Sequence, residues 1–372
     1  MQQYLALNDS KFAGVACSEL RQLLKSYNTE VRVDAAHGLI TVSTDAQYET
    51  ISSIISESVY VNAIMSVDAV TKAKECSDML GALKEILSER QGSSFMLEVK
   101  KIKSSIGGNA KAIEVCLGKA LEAQGMKADL YAPSIKIGVV LAGDNAYIGR
   151  LGKGMRLDYF RNSQNSMFLN RAEYKIAEAF ESFGIKVNAG RALDIGAAPG
   201  GWTDFLLSNN LSVVAVDSAF LRYDRPKMHE RTLVICKDGD ALAPGEAARH
   251  GVECMPYGAA EDVSGIAEGY KLVHIKLPIC KESIDMVKRM PQFDMLLIDA
   301  NVAPEESAEF AKSMIACMRH GALAIITIKL IDNRIKAHVG NVLASISDSC
   351  SSMRLKKLPH NRKELTLFAV LK

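Results

Sequence analysis

A glycine-rich turn near the middle of the chain constrains the fold more than any other stretch. A short apolar run ends in an acid at Asp194, and several glycines separate it from a helical pattern over 202–207. Glycine lets the backbone of such a turn approach a ligand closely, and the helix behind it presents free N–H groups. The next apolar run, 213–216, ends in Asp217, where an acid can accept hydrogen bonds from a ribose diol. This order predicts a nucleoside-binding βαβ unit.

The glycine spacing distinguishes this turn from that of the dehydrogenases. The spacing is Gly196-x-x-x-Gly200-Gly201 rather than G-x-G-x-x-G. The full string, Asp-Ile-Gly-Ala-Ala-Pro-Gly-Gly-Trp, resembles the S-adenosylmethionine loop of the FtsJ-type methyltransferases, which methylate ribose 2′-hydroxyls of RNA. Pro199 and Trp202 make the likeness specific, because a turn alone does not need them. The resemblance implies that the cofactor is held by Asp194, Gly196, Ala197, Pro199, Gly200, Gly201, Trp202, Asp217 and Asp299.

From residue 171 onward, short apolar runs alternate with helical patterns, beginning with a helix predicted over 171–183. This alternation predicts an α/β fold with a largely parallel sheet and helices on both faces. The resemblance, which covers roughly 170–372, makes it a Rossmann-like methyltransferase domain. Ligands of such sheets bind at the carboxyl ends of the strands. The predicted strands contain Leu193, 213–216, 272–275, 295–298, 323–328 and 365–370.

Four charged residues fall at or beside the ends of these elements. Lys175 lies in the helix before the first strand, and Asp299 and Lys329 each follow an apolar strand. Glu364 begins the last strand. FtsJ-type enzymes carry a Lys-Asp-Lys-Glu tetrad at these four places, so the resemblance implies that these residues are catalytic.

The chemistry explains why the family uses these residue types. A ribose 2′-hydroxyl is a poor nucleophile until its proton is removed, and a lysine can remove it only if the lysine pKa is lowered. We expect Lys329 to be the general base. Lys175 is expected to depress the pKa of Lys329 by like-charge repulsion and to help hold the substrate, while Asp299 and Glu364 orient the two amines.

The N-terminal part of the sequence predicts two smaller α+β units. Residues 1–70 show the order β-α-β-β-α-β of a ferredoxin-like module. Residues 71–150, above all 128–137, resemble a THUMP domain, an RNA-binding module of enzymes that modify tRNA and rRNA. Residues 151–170 are rich in Gly, Asn, Ser and Arg and are predicted to be a linker to the domain 171–372.

Basic residues in this part are the candidates for contact with RNA. Lysines flank a predicted helix start, where N–H groups and basic side chains both favour phosphate. A second basic run includes aromatic residues, which suit unpaired nucleotides. The predicted RNA-binding residues are Lys100, Lys101, Lys103, Lys111, Arg150, Lys153, Arg156 and Arg161.

Composition excludes few classes of function. A net charge of +2 neither requires nor excludes a nucleic-acid partner. The eight cysteines contain no C-x-x-C pair, so we expect reduced, buried thiols in a cytoplasmic protein without a metal site. The start of the chain lacks the features of a signal peptide, and no apolar stretch reaches the ~18 residues of a membrane span.

The sequence leaves alternatives open for the acid that binds the adenine and for the overall activity. In the family an acid beyond the third strand meets the adenine, and Asp238, Asp240 and Asp262 all lie in the long region 222–270. Asp262 is our choice. The order Asp299-Ala300-Asn301-Val302 lacks the D/N-P-P-aromatic motif of base N-methyltransferases, and no cysteine is placed for C5 methylation. A non-catalytic RNA-binding or assembly factor with a methyltransferase fold, and more remotely a nicotinamide dehydrogenase, remain as rivals.

Overall fold

The computed structural model describes residues 1–34, 36–88, 94–152, 155–157, 171–229, 231–260, 263–330 and 334–372. The chain divides into two compact units, Met1–Gln164 and Asn165–Lys372. Each unit has its own hydrophobic core. Lys153, Arg161 and Asp262, three of the predicted site residues, lie outside the described residues.

The first sheet of unit 1 has the strand order β2-β3-β1-β4, and every neighbouring pair is antiparallel. Its strands and the helices between them follow one another in the chain order β-α-β-β-α-β, and the assignment of residues 1–70 to a ferredoxin-like module stays a prediction. Its elements are β1 (Gln2–Asn8), α1 (Ala13–Leu23), β2 (Thr29–Asp34), β3 (Leu39–Thr44), α2 (Tyr48–Ser56) and β4 (Val61–Ser66).

The second sheet of unit 1 has the order β5-β9-β8-β6-β7. β8 is apolar on both faces, because one face packs on the helices of its own sheet and Val140 packs against Leu5 and Met65 of the first sheet. The likeness of this part to a THUMP domain stays a prediction. Its elements are β5 (Ala69–Lys72), α3 (Ser77–Ser88), β6 (Ser94–Ser104), α4 (Ala110–Glu122), β7 (Lys127–Ala128), β8 (Ile135–Gly143) and β9 (Asn145–Arg150).

Unit 2 is built on one large sheet. Its strands are β10 (Gly190–Ile195), β11 (Leu211–Val216), β12 (Thr232–Cys236), β13 (Val252–Pro256), β14 (Leu272–Lys276), β15 (Phe293–Ile298), β16 (Met318–Lys329), β17 (Cys350–Lys356) and β18 (Glu364–Leu371). The strand order is β13-β12-β14-β11-β10-β15-β16-β18-β17. β10 to β16 are mutually parallel and β18 is antiparallel to its neighbours. The predicted α/β class with a largely parallel sheet is confirmed.

Helices cover this sheet because its strands are apolar on both faces. They are α5 (Arg171–Phe183), α6 (Gly201–Ser208), α7 (Pro244–Arg249), α8 (Val263–Gly269), α9 (Lys281–Lys288), α10 (Pro304–Ile315) and α11 (Ile335–Ile346). The helix expected over 171–183 has those bounds. In the described part of the chain, no helix is long and apolar enough to cross a membrane.

Candidate active site

The candidate site lies where the central strands of unit 2 end. β10, β15 and β16 run parallel with Ile195, Ile298 and Ile326 in register, so the residues that follow these strands meet at one edge of the sheet. β18 runs the opposite way, and its first residue, Glu364, pairs with Lys329 at the end of β16. The topology therefore gathers charged residues from distant parts of the chain.

Four charged side chains form a closed ring at this edge. Lys175 Nζ lies 2.6 Å from Asp299 Oδ2 and 3.0 Å from Glu364 Oε1. Lys329 Nζ lies 2.7 Å from Asp299 Oδ1 and 2.7 Å from Glu364 Oε2. Each ammonium bridges both carboxylates, and each carboxylate offers one oxygen to each lysine. The structure thus brings together all four residues that the resemblance picks out.

The ring is open on one side only. The exposed fraction of the side chain is 4% for Lys175 and 6% for Glu364, but 14% for Asp299 and 17% for Lys329. A molecule that approaches from solvent therefore meets Lys329 before it meets Lys175. This asymmetry suits Lys329 to contact with a substrate and Lys175 to a supporting role.

The carboxylates decide the ionisation of the ring. Burial acts to lower the pKa of Lys329, but the charges of Asp299 and Glu364 outweigh it and the pKa is raised. Burial acts to raise the pKa of Asp299, but the two lysines outweigh it and the pKa is lowered. The expectation that Lys175 depresses the pKa of Lys329 is therefore wrong, because two carboxylates lie within hydrogen-bonding distance of each ammonium.

A buried hydroxyl supports the ring from β16. Thr327 Oγ1 donates a hydrogen bond to Asp299 Oδ1 at 2.8 Å. Thr327 precedes Lys329 by two residues on the strand, so both side chains lie on the same face. Thr327 was not among the residues predicted from the sequence, although a polar residue two positions before a strand-end lysine is a usable signal.

A second contact ties the helix of Lys175 to the turn before Glu364. The Glu178 carboxylate accepts a hydrogen bond from the backbone N–H of His360 at 3.0 Å, and its other oxygen contacts His360 Nδ1. The Tyr174 ring stacks on the His360 ring with centroids 4.9 Å apart. Both members of the Glu178–His360 pair are buried, so this contact fixes the spacing of the two elements that carry half of the ring.

The glycine turn adjoins the ring. The backbone N–H of Asp299 donates to Ile195 O at 3.1 Å, and a Cβ at Gly196 would lie 2.7 Å from Ala300 Cα. Gly196 and Gly200 have φ of +79° and +107°, which L side chains rarely adopt. The fold itself therefore requires glycine at both positions, in addition to any approach of a ligand.

The other residues of the turn differ in their exposure. Ala197 and Gly201 are buried, whereas Pro199 is exposed at the tip of the turn. Trp202 is buried, and its Nε1 donates to Ala172 O at 2.8 Å while its ring centroid lies 5.9 Å from Lys175 Nζ. Trp202 thus joins α6 to α5 and packs beneath the ring of charges.

Asp194 lies beneath the turn and is fully buried. Its Oδ2 accepts a hydrogen bond from Thr203 Oγ1 at 2.7 Å, while its Oδ1 has no partner among the described residues. Burial raises the pKa of Asp194 to about 7, and the charges of Asp299 and Asp217 add to the increase. An orphaned carboxylate oxygen at this position is a fitting partner for a cationic group.

Asp217 holds the turn from the end of β11. Its Oδ2 accepts from the backbone N–H of Ala198 at 3.0 Å, and its Oδ1 accepts from that of Ala219 at 2.8 Å. Asp238 and Asp240 are exposed beyond the end of β12. Asp262, the residue chosen for the adenine, lies outside the described residues.

The predicted RNA-binding residues of unit 1 are only partly available to a partner. Lys101 Nζ donates to the carbonyls of Ile106 and Gly108, and Lys103 Nζ donates to Ala36 O at 2.8 Å. Lys103 and Lys111 are exposed, whereas Lys100, Lys101, Arg150 and Arg156 are half-buried. Lys111 is paired with Glu114 at 2.5 Å, and Arg150 with Asp68 at 3.2 Å.

The cysteines are free thiols, and the expectation that they are buried is only partly right. Four are buried, two are partly exposed and two are exposed. In that order they are Cys17, Cys236, Cys317 and Cys350, then Cys76 and Cys280, then Cys116 and Cys254. The last two are exposed because α4, which carries Cys116, is buried on one face only and β13, which carries Cys254, is mostly exposed. Among the described residues, no group of three His, Cys, Asp or Glu side chains could hold a metal ion.

Comparison with known proteins identifies one domain. Residues 168–342, somewhat less than half of the chain, match the family model of the FtsJ-like methyltransferases. A ribosomal RNA large subunit methyltransferase E of Thermoplasma acidophilum is 39% identical over 62 residues, which are 17% of this chain and 30% of that protein. A protein of the same name from Syntrophobacter fumaroxidans is 31% identical over 106 residues, 28% of this chain and 51% of that protein. The chain thus spans about half or less of the length of these curated relatives.

The solved structures that match this chain are distant in sequence. TrmN from Thermus thermophilus is 16% identical, with both chains covered in full (100%) and a TM-score of 0.36. The fibrillarin pre-rRNA processing protein of Methanococcus jannaschii is 14% identical with a TM-score of 0.35, over 63% of this chain and 81% of that one.

Proposed function

Because residues 168–342 form an FtsJ-like methyltransferase domain, we propose that this chain transfers the methyl group of S-adenosylmethionine to a ribose 2′-hydroxyl of RNA. The observation that carries the proposal is the closed ring of Lys175, Asp299, Lys329 and Glu364 beside the glycine turn. Binding of RNA alone does not need two lysines locked between two carboxylates at the end of a sheet. The relatives' name directs the search for the substrate to ribosomal RNA first.

The residues around the glycine turn fit the cofactor. Asp194 Oδ1 is buried without a partner among the described residues and suits the ammonium of a methionine moiety. α6 begins at Gly201 without a side-chain cap, and such a helix start suits a carboxylate. Asp217 stands at the end of β11, where an acid can accept from a ribose diol. S-adenosylmethionine, when bound, supplies an electrophilic methyl carbon.

The ring of charges acts on the hydroxyl that receives the methyl group. Lys329, on the open side, accepts the hydroxyl proton at Nζ as the oxygen forms its bond to carbon. Since two carboxylates raise the pKa of Lys329, it first loses its own proton to solvent. Lys175 lies between Asp299 and Glu364 and keeps both carboxylates in place. Much of the rate comes from this positioning of the acceptor oxygen.

The test of the proposed function is isotopic. The purified chain is incubated with S-adenosylmethionine bearing a deuterated methyl group and RNA from a strain that lacks the protein. Ribosomal and transfer RNAs are separated, digested and analysed by mass spectrometry. We expect the deuterated methyl group on the ribose fragment of one nucleoside. Label on a base fragment, or no label in any RNA, would contradict the proposal and favour the RNA-binding alternative.

The proposal also assigns RNA binding to the lysines of unit 1. Among the members of the predicted set that the structure describes, Lys103 and Lys111 are the exposed ones. The slope of the salt dependence of binding falls by about one for each lysine–phosphate pair that is removed. The full chain with Lys103→Gln and Lys111→Gln should bind substrate RNA about tenfold more weakly, with a shallower salt dependence. Lys84→Gln, an exposed lysine of α3, is the matched control. Unchanged binding by the double variant would place the RNA surface elsewhere.

A further inference from the structure

Trp202 is the second residue of α6 and directly follows the two glycines that end the turn. The resemblance of the turn assigns Trp202 to the cofactor, yet the structure buries its side chain against the ring of charges. Trp202 is 3% exposed, and the centroid of its indole lies 5.9 Å from Lys175 Nζ. A lysine ammonium within about 6 Å of an indole centroid is attracted to it, more strongly where water is excluded. The indole is therefore an uncharged partner of Lys175 in addition to the two carboxylates.

A hydrogen bond fixes the orientation of the indole. Its Nε1 donates to Ala172 O at 2.8 Å, and Ala172 lies in the first turn of α5, three residues before Lys175. A buried tryptophan usually finds such a partner for its N–H. Because the indole meets α5 both through the backbone of Ala172 and through the side chain of Lys175, it cannot turn away from the lysine without losing the hydrogen bond.

A second link joins α6 to the same part of α5. Arg225 Nη2 lies 2.6 Å from Asp204 Oδ2 of α6 and 3.4 Å from Glu173 Oε2 of α5, and both carboxylates are buried. Arg225 belongs to the segment after β11, which contacts the glycine turn where the backbone N–H of Arg222 donates to Pro199 O at 3.0 Å. The start of α6, the first turn of α5 and the glycine turn are thus tied together.

We propose that Trp202 is a positioning residue of the ring of charges, an inference that rests on the proposed function. Its indole holds Lys175 against Asp299 and Glu364, and these carboxylates in turn hold Lys329. The backbone of α6 stays available to the cofactor, because the helix start has no side-chain cap. The side chain of Trp202 therefore acts on the rate of methyl transfer, whereas the backbone around it serves binding.

The contact matters because lysine is a flexible side chain. A four-carbon stem carries a compact ammonium that can donate hydrogen bonds in many directions. Lys175 reaches Asp299 at 2.6 Å and Glu364 at 3.0 Å from one position of its stem, and a buried indole beside it restricts other positions and excludes water. If Lys175 moved, the two carboxylates would lose a shared partner and Lys329 would lose its fixed place. Rates of group transfer are sensitive to displacements of about 1 Å at such sites.

The test measures rate and affinity separately in the full chain. Single-turnover methyl transfer to RNA gives the rate, and calorimetric titration with S-adenosylhomocysteine gives the affinity. Trp202→Leu loses a desolvated cation–π contact and a hydrogen bond, so the rate should fall about ten- to a hundredfold while the affinity stays within about threefold of wild type. Trp202→Phe keeps an aromatic face and loses only the N–H donor, so the rate should fall about two- to tenfold.

A double-mutant cycle separates positioning of Lys175 from a general packing role. In the Lys175→Gln background, Trp202→Leu should change the residual rate by less than about twofold, because the partner through which it acts is gone. Phe205→Leu is the matched control. Phe205 of α6 packs edge-on against Phe180 of α5 with ring centroids 4.9 Å apart, so its truncation loosens the same two helices at another point. It should lower the melting temperature and keep the rate within about twofold of wild type.

Fluorescence provides a readout that does not depend on methyl transfer, because Trp202 is the single tryptophan of the chain. Removal of the charged neighbour in Lys175→Gln should change the tryptophan emission of the folded protein. Lys186→Gln removes an exposed lysine after the end of α5 and should leave the emission unchanged. Thermal unfolding establishes that each variant is folded. Unchanged emission in Lys175→Gln would overturn the contact on which the proposal depends.

The outcomes are distinguishable. If Trp202→Leu keeps the wild-type rate and loses affinity for S-adenosylhomocysteine, its side chain serves the cofactor and the positioning role is overturned, while the proposed function stands. The same follows if Trp202→Leu lowers the rate by an equal factor with and without Lys175. Should Trp202→Leu fail to fold, Trp202→Phe decides by the same criteria. If wild type transfers no methyl group to RNA, the proposed function fails and the positioning role fails with it.

Discussion

Two aspartates at the ends of neighbouring strands, one fully buried and one largely buried, show how partners decide the chemistry of one residue type. Asp299, after β15, lies between two lysines, and their charges hold its pKa below the usual range in spite of burial. Asp194, at the end of β10, has a hydroxyl as its side-chain partner and one orphaned oxygen, and burial raises its pKa to about 7. The carboxylate of Asp299 already has two cationic partners, whereas the carboxyl group of Asp194 has none among the described residues.

Under the proposed function, the difference assigns the two regions to different parts of the reaction. The ring around Asp299 is complete within the chain, since each of its lysines meets two carboxylates and each carboxylate meets two lysines. It can orient an acceptor hydroxyl without help from a ligand. Asp194, which forms the floor of the glycine turn, lacks a partner for Oδ1 among the described residues, and a bound cation would supply one. We therefore expect the ring to govern rate and the floor to govern binding and its pH dependence.

The largest effect should come from removal of the base. Lys329→Arg keeps the positive charge between Asp299 and Glu364, but a guanidinium cannot give up its proton at working pH. We expect methyl transfer to fall about a thousandfold, within the range of general-base catalysis, while cofactor affinity stays within about twofold of wild type. Single-turnover kinetics and calorimetric binding measure the two quantities.

Two further variants control this prediction. Lys329→Met tests removal of the charge itself, which leaves buried carboxylates with one ammonium and should also lower the melting temperature. Lys363→Met removes an exposed lysine beside Glu364 and should leave the rate unchanged. If Lys329→Arg retained wild-type turnover, Lys329 would be a positioning residue and the ring would have no base.

The pH profile of the rate should show the next largest effect. Two carboxylates raise the pKa of Lys329, so at neutral pH only a small fraction of the lysine is free of its proton. The rate of methyl transfer should then rise about tenfold per pH unit between about pH 7 and 9, because the neutral amine is the active form. A rate that is flat over this window would contradict the base assignment, and the residual activity of Lys329→Arg provides the baseline.

The members of the ring could be predicted from the sequence, whereas the direction of the pKa shift of Lys329 could not. Lys175, Asp299 and Lys329 stand next to apolar runs whose alternation predicts a parallel sheet, and parallel strands bring their ends together. The likeness to a known tetrad added Glu364. No sequence pattern gives the distances between these groups. Those distances decide whether the pKa of Lys329 is governed by a neighbouring ammonium or by two carboxylates. The predicted direction of its pKa was wrong for this reason.

The neighbours of Asp217 across the sheet were beyond sequence reasoning for a topological cause. β12 and β13 are short, and the sequence does not show which of the acids between residues 222 and 270 stands at a strand end. Asp262 was therefore chosen from several candidates. The position of β14 between β11 and β12 is a property of sheet order. The chain order places Lys276 far from Asp217, and the sheet makes the two residues neighbours. His360 was missed for a similar reason, because its role lies in contacts across elements, whereas the position of Thr327 two residues before Lys329 was a usable signal.

The raised pKa of Asp194 should appear as a pH-dependent loss of stability. The folded protein holds this proton up to about pH 7, and an unfolded chain releases it near pH 4. The contribution of Asp194 to the free energy of unfolding is therefore fully present below pH 4 and falls by at most about 1.4 kcal/mol per pH unit as the pH rises to 7. Urea unfolding of wild type and Asp194→Asn between pH 4 and 8 measures it. The difference between the two proteins should decline across this window and level off above pH 7, and a difference that does not vary with pH would remove the contrast with Asp299.

The smallest expected effect is a proton released when the cofactor binds. At pH 7 Asp194 is about half protonated, because its pKa is about 7. A cation placed beside its orphaned oxygen lowers that pKa, as the two lysines lower the pKa of Asp299. Calorimetric titration of wild type with S-adenosylhomocysteine, repeated at pH 7 in buffers of different ionisation enthalpy, should then show release of about half a proton. Asp194→Asn has no proton to release at this position and should show correspondingly less. Equal release by both proteins would mean that the methionine ammonium does not lie against Asp194. The two aspartates would then differ only in their fixed partners, and the floor of the turn would serve the fold alone.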